Sequence, residues 1–398
     1  MSPATSLHKV FESSALGADQ VLRLLEVEEK FVVQFPKFHN PSRQGFFLQS
    51  LLDELVAEYA SPLDPYTKNL VSIYGDTPER DIERNDLSFR IRHEESKYVD
   101  EDGHKVYKRH RGDMSLKAPI HSDSRLMRGE FEVNLASDAK GNFLLSRAAM
   151  MNEVRTRIDE FGIEDPLQAK AIWDRINDNV PMNLADLREY FSINCKRTQV
   201  YVELYARTEE DSSVTLLTKP EMKALVEEQK SDGYKALGLK KLVFEFCFDT
   251  NRFFSPAALT GTPRSVNGRP IQVPLVGRDF EIEFEFKAEK CAWTPNAKAS
   301  DENFTPREVA EAFAHLKSYV HQSCARHGIE IDKDLSGKSK HDRGMIYLRE
   351  TVGPEPEKHL LNAMTLRGST EGFKVARDQL APVMTLPAPS ALPERRNG

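Results

Sequence analysis

The segment "LLEVEEKFVV" occupies residues 24–33. Its central "EVEEK" places Glu26, Glu28 and Lys30 at every second position. Successive side chains of a β-strand point to opposite faces, so on a strand these three charges share one side. The pattern recurs. In "RGEFEV" (128–133) Arg128, Glu130 and Glu132 share a face, and in "SFRIR" (88–92) Ser88, Arg90 and Arg92 do. "VFEFCFD" (243–249) sets Glu245, Cys247 and Asp249 on one side, and "EIEFEF" (281–286) alternates Glu281, Glu283 and Glu285 with Ile282, Phe284 and Phe286. A half-buried sheet with its polar face in water accounts for any one of these segments. It does not account for repeated Glu-x-Glu pairs, because neighbouring carboxylates on one face repel. A closed sheet supplies a reason: the charged faces line an interior and helices cover the apolar faces.

The rest of the chain suits such a sheet. Of its 398 residues 39% are hydrophobic, enough for a substantial core, and the net charge of -7 argues against a dedicated nucleic-acid binder. Cys195, Cys247, Cys291 and Cys324 lack close ligand spacing, which disfavours a zinc knuckle or disulfide scaffold and favours a reducing compartment. There is no secretory signal and no apolar run of membrane-spanning length, so a cytoplasmic location is the expectation. Strands are predicted at about 22–33, in "LVSIYGD", "DLSFRIRHEE", "GDMSLKAP" and "RLMRGEFEVNL", as a turn-linked pair over 187–207, and in "GLKKLVFEFCFDT" and "RDFEIEFEFKAEKCAW". Helices are predicted at 46–59, 143–161 and 166–178, after Thr218, and at 305–327. The expected fold class is therefore α+β, mainly antiparallel β, a closed eight-stranded tunnel-like barrel decorated by helices.

The two charged sets complement each other. Carboxylates at 26, 28, 130, 132, 281 and 283 suit hard divalent cations. Lys30, Arg90, Arg92, Lys117 and Arg197 suit phosphate oxygens, the arginines in bidentate fashion. Together they fit a polyanion bridged to carboxylates by metal. Other sites are weaker. "GTPRSVNGRP" lacks the Gly-Lys-Ser/Thr context of a P-loop. His315, His321 and His327 fall on different faces of one helix and read as structural. "YKRHR" (107–111) reads as a solvent-facing basic loop with too few aromatics for nucleic acid.

In order, "EVEEK", "IYGDTPERD", "DLSFRIR", "MSLKAP", "RGEFEV", "CKR" and "FEIEFE" resemble the motifs of the CYTH domain, the triphosphate tunnel metalloenzyme family, over about residues 22–290. The resemblance implies a tunnel that binds triphosphate compounds with magnesium or manganese. It implies metal binding by Glu26, Glu28, Glu130, Glu132, Asp249, Glu281 and Glu283. Glu28, Lys30, Arg90, Arg92, Lys117 and Arg197 are the catalytic and phosphate-facing candidates, and Lys338 or Lys340 of "GKSKH" is a candidate late basic residue. The expected organisation is a lead-in at 1–20, the tunnel domain at 21–345 with insertions near 36–65, 208–236 and 251–277, and a C-terminal extension at 346–398.

The activity so implied is divalent-metal-dependent hydrolysis of a triphosphate or related small phosphorylated compound, water attacking the terminal phosphorus. Alternatives are action on an organic, for example prenyl, diphosphate, an adenylate cyclase-like reaction, and a non-catalytic sensor of a phosphorylated ligand. No adenine pocket is legible, and the oligomeric state is left open.

Overall fold

Alternation of large apolar and polar side chains commits most of this chain to β-structure. The computed structural model describes residues 26–35, 41–59, 65–99, 105–119, 127–138, 142–160, 163, 166–256, 265–266, 269–270, 275–291, 304–354 and 373–375. In chain order the first elements are β1 (Glu26–Gln34), α1 (Pro41–Tyr59), β2 (Tyr66–Asp76), α2 (Asp81–Arg84), β3 (Ser88–Val99), β4 (Lys105–Pro119), β5 (Met127–Asn134) and β6 (Phe143–Leu145). Then come α3 (Arg147–Glu160), α4 (Pro166–Asn179), β7 (Arg188–Thr208), β8 (Val214–Thr218), α5 (Lys219–Glu228) and β9 (Lys240–Phe254). The last are β10 (Ser265–Val266), β11 (Arg269–Pro270), β12 (Leu275–Phe286), α6 (Pro306–Arg326), β13 (Glu330–Asp332), α7 (Lys340–Val352) and β14 (Phe373–Val375).

Among the described residues, ten strands form one antiparallel sheet in the order β12-β9-β7-β2-β3-β4-β5-β1-β13, with β8 on β7 and a further β12–β1 pairing. This corrects the closed eight-stranded barrel expected from the sequence. β1 runs beside β12 from Glu28 to Val33 and gives Val32–Gln34 to β13. Among the described residues it meets β5 at Glu26↔Arg128 and Val27↔Met127. That seam is two residue pairs long and does not make a continuous wall, and β8 and β13 extend the sheet beyond eight strands.

Three local expectations also change. Residues 187–207 are not two strands around a turn: β7 is continuous for 21 residues, in register with β9 from Ser192↔Phe254 to Ala206↔Lys240. Its middle stretch "NCKRTQ" carries polar residues on both faces and has no Gly or Pro to break the strand. Residues 143–145 form β6, and the helix starts only at Arg147. "YKRHR" belongs to β4 rather than to a loop. The lead-in at 1–20 lies outside the described residues, and α7 runs across the boundary expected at 345.

The apolar faces form the core. Phe31, Phe89, Ile91, Met114, Leu116, Phe131, Val200, Phe244, Phe246, Ile282 and Phe284 are buried beneath helices that contribute Leu51, Leu55, Val154, Ile176, Phe313 and Leu316. α5 and α6 start where the sequence says they should: Thr218 and Thr305 each close a capping box, with Glu221 and Glu308, and Pro follows in the first turn.

α7 packs Met345 and Leu348 against Tyr74, Phe191 and Phe253. Gly344 permits that approach, because a Cβ there would overlap the ring of buried Phe191. Gly344→Val should therefore destabilise the fold by about 1–3 kcal/mol through overpacking. The check is the urea unfolding midpoint, and an unchanged midpoint would mean that the ring moves aside freely.

Candidate active site

The polar faces meet around one cavity of about 920 Å³. It takes Glu28 and Lys30 from β1, Arg90 and Arg92 from β3, Lys117 from β4, Glu130 and Glu132 from β5, Arg197 from β7 and Glu283 from β12. Residues 337–342, leading into α7, also line it. The parity read from the sequence thus brings both charged sets together.

The acidic centre comes from two adjacent strands. Glu281 is opposite Asp249 in the β12–β9 ladder, and Glu283 lies two residues further on. Asp249, Glu281 and Glu283 are buried and each offers a carboxylate oxygen within 4.8 Å of the others. Three cations balance them. Arg197, opposite Asp249 on β7, forks onto it, Nε to Oδ1 at 2.9 Å and a terminal nitrogen to Oδ2 at 2.6 Å. That nitrogen also lies 3.5 Å from Glu283. Lys340 Nζ is 3.0 Å from Asp249 and 3.3 Å from Glu283, and pairs with Glu281. Arg343 pairs with Glu281 and donates from Nε to Asp279 Oδ2 at 2.8 Å. Asp279 is in turn held by Asn251 at 2.8 Å and by Tyr347 at 3.3 Å.

Electrostatics here is a contest between burial and pairing. Burial pushes the Asp249 carboxyl up, but Arg197 and Lys340 outweigh it and hold it below the usual range. Against the same burial, Lys340, Arg197 and Lys30 hold Glu283 well down. Burial would lower Lys340; Glu281, Asp249 and Glu283 instead raise it well above an ordinary lysine. The donor set is entirely oxygen, and the buried Glu28 Oε2 has no hydrogen-bond partner among the described residues. Both features are compatible with a hard divalent cation.

Facing this centre is a basic array. Arg90 donates to Glu130 at 3.0 Å; Arg92 donates to Asp113 at 2.9 Å and to Glu132 at 3.1 Å. Lys117 lies 3.5 Å from Glu130, and Lys30 pairs with Glu28. Burial opposes ionisation of Glu130, yet Lys117, Arg90 and Arg92 hold its carboxyl down at about 2. Two residues on, burial wins and the Glu132 carboxyl is raised.

Every candidate named from the sequence except Glu26 has a described side chain at or beside this cavity. Glu26 is described only as backbone, paired with Arg128; its side chain lies outside the described residues. Between the two late lysines, Lys340 faces the carboxylates, whereas Lys338 Nζ bonds the Asp334 carbonyl. The signal for that choice was the Ser339–Asp342 capping box, which starts a helix at Lys340. Sequence reading missed Asp113, although its parity matches Lys117, and it missed Arg343 with Asp279. The three histidines are structural: His315 bonds Tyr59 at 3.1 Å, His321 meets the Phe31 ring edge-on, and His327 bonds Glu54 at 2.8 Å. All four cysteines are buried and none is in a disulfide among the described residues.

No family model matches the chain, and no curated protein matches it in sequence. Among solved structures, similarity is found to a candidate adenylate cyclase from Bacillus halodurans, at 12% identity and TM-score 0.29, covering 80% of this chain and 96% of that one. A protein from Pyrococcus horikoshii is similar at 13% identity and TM-score 0.28, covering 75% and 89%. A candidate adenylyl cyclase from Hippeastrum, described as having a dominant triphosphatase activity, is similar at 14% identity and TM-score 0.29, covering 80% and 93%. At these TM-scores the likenesses assign no activity to the present chain.

The Glu130 environment gives a signed pH dependence. Its carboxyl lies at about 2 when folded against an ordinary 4.5, so its stabilising contribution is complete above 4.5 and is lost as pH falls toward 2. Glu130→Gln should flatten the acid limb of the stability–pH curve in that window, measured by urea unfolding. An acid limb identical to that of the parent would show that Glu130 is not held down.

Proposed function

We propose that the protein is a divalent-metal-dependent phosphohydrolase whose substrate carries a short polyphosphate, with a triphosphate favoured. The observation that carries this reading is a buried three-carboxylate cluster, whose Glu283 lines the cavity, beside basic lining residues that include Lys30, Arg90, Arg92, Lys117 and Arg197. Neither set is comfortable with an uncharged ligand. The carboxylates would repel a phosphate chain unless a metal cation lay between them.

Asp249, Glu281 and Glu283 would hold the cation, with Glu28 close by; magnesium or manganese suits their all-oxygen donor set. Such a cation supplies neutralisation of phosphoryl charge and a lowered pKa for water. The remaining work falls to the protein. Arg90, Arg92 and Arg197 present planar N–H forks that match phosphate oxygens, and Lys30 and Lys117 act as point charges. These groups are already anchored by Glu130, Asp113, Asp249 and Glu28, so they are positioned before substrate arrives. Substrate binding then exchanges carboxylate partners for phosphate oxygens. The aligned chain presents its terminal phosphorus to water, in line with the departing oxygen.

The test is phosphate release from inorganic triphosphate, nucleoside triphosphates, thiamine triphosphate and prenyl diphosphates, with magnesium or manganese. At least one triphosphate should be turned over, and Glu28→Ala and Glu283→Gln should each reduce the rate by at least about a hundredfold while the variants stay folded. Turnover that is indifferent to both substitutions would refute the assignment.

A further inference from the structure

Two consecutive residues of α7 reach different parts of the cavity. Lys340 turns to the carboxylate cluster, and His341 lines the wall beside it. The His341 ring lies 5.6 Å from that of Tyr74 on β2 and 5.8 Å from that of Phe191 on β7. Tyr74 is paired with Arg90 across the β2–β3 ladder, so the imidazole stands at the end of the cavity that carries Arg90 and Lys117. Its side chain is 12% exposed, and His341 is the one histidine among the described residues lining the cavity.

Its neighbour decides which ring nitrogen is available. His341 Nδ1 is 3.7 Å from Asp342 Oδ1. That carboxylate is anchored by the helix cap: Oδ2 accepts from the Ser339 N–H at 3.2 Å, and the Asp342 N–H donates to Ser339 Oγ at 3.1 Å. Burial opposes ionisation of Asp342, yet His341 and Ser339 hold its carboxyl well down. A carboxylate on the Nδ1 side favours the tautomer protonated there and leaves Nε2 as the acceptor.

Other ionisable groups of the cavity are poor proton acceptors. Against burial, cations hold the Glu130 and Glu283 carboxyls down, and carboxylates hold Lys340 protonated. Glu132, which burial raises, is the rival base, but Arg92 occupies it at 3.1 Å. The charged and titratable groups around the imidazole are Lys340 and Asp342 on α7, Tyr74 and Asp76 on β2, Glu83 on α2 and Arg90 on β3. Asp76 is buried and accepts the N–H groups of Thr77, Ile82 and Glu83, while Glu83 is paired with Arg80 and Arg349. Both of these carboxylates are thus engaged.

We propose that His341, backed by Asp342, is the catalytic base of the hydrolysis. Neutral Nε2 takes a proton from the attacking water as the water oxygen bonds to the terminal phosphorus. The bond from that phosphorus to the bridging oxygen breaks, and its electron pair leaves with the departing phosphate chain. The imidazolium, stabilised by Asp342, then releases the proton to solvent. The proposal rests on the phosphohydrolase reading and gives that reaction its proton acceptor.

The experiment follows hydrolysis of inorganic triphosphate and ATP with magnesium across the titration range of histidine, in the full chain and in His341→Asn, His341→Gln and Glu132→Gln. Both His341 variants should lose about a hundredfold or more in kcat with KM unchanged, and should lose the limb on which the rate rises with pH. Free imidazole should restore part of the rate to His341→Ala. Independently of turnover, the His341 Cε1–H resonance, identified by its absence from either variant, should shift when a methylene-bridged triphosphate analogue is added with magnesium. Parental kcat in the His341 variants, loss of the pH limb in Glu132→Gln instead, or a resonance indifferent to the analogue would overturn the base. So would a loss of rate that comes only from a raised KM or a lowered Tm, without imidazole rescue, because that marks a packing role. If the full chain turns over neither substrate, the phosphohydrolase reading falls and the base with it; turnover indifferent to His341 overturns the base alone.

Discussion

Three carboxylates held within 4.8 Å of one another inside a protein must be neutralised, and much of this structure follows from how that is done. The cross-strand ladders place Asp249, Glu281 and Arg197 in one row. The third strand alone does not suffice, so α7 delivers Lys340 and Arg343 from outside the sheet. Its N-cap at Ser339, its small residue at Gly344 and the anchoring of Arg343 by Asp279 all serve to hold that helix end against the cluster. Loss of one partner from a buried ion pair costs about 3–5 kcal/mol, so the same groups that prepare the site also stabilise it.

The opposite array follows the same logic with the signs reversed. Arg90, Arg92 and Lys117 lie on neighbouring strands, where their repulsion is relieved by Glu130, Glu132 and Asp113. Each cation is therefore ordered but paired. In the proposed reaction a phosphate chain can take those cations only if another positive charge takes the carboxylates they leave. Metal and polyanion should then be needed together, and the two charged sets form one device.

Much of the site was legible because strand parity is a strong constraint. Once "EVEEK", "SFRIR" and "EIEFEF" are read as strands, which residues share a face follows from geometry. That the sheet does not form a closed eight-stranded barrel was not legible. Parity says which side a residue faces, but not where a strand ends or which neighbour it takes; β1 divides itself among β12, β13 and β5. Continuous β7 was misread because polar residues in mid-strand look like a turn when their cavity-facing role is unknown. Arg343 was invisible for another reason. A buried arginine on an amphipathic helix looks like a solvent-facing one until the acidic strand beneath it is placed.

The interdependence of metal and polyanion is the claim most open to direct test. Manganese binding would be followed by electron paramagnetic resonance, without and with saturating inorganic triphosphate at a concentration corrected for free manganese–triphosphate complex. The account predicts that triphosphate tightens manganese binding to the protein by about tenfold or more, and that manganese tightens triphosphate binding by the same factor. Manganese affinity unchanged by triphosphate, or no manganese bound in either condition, would contradict it.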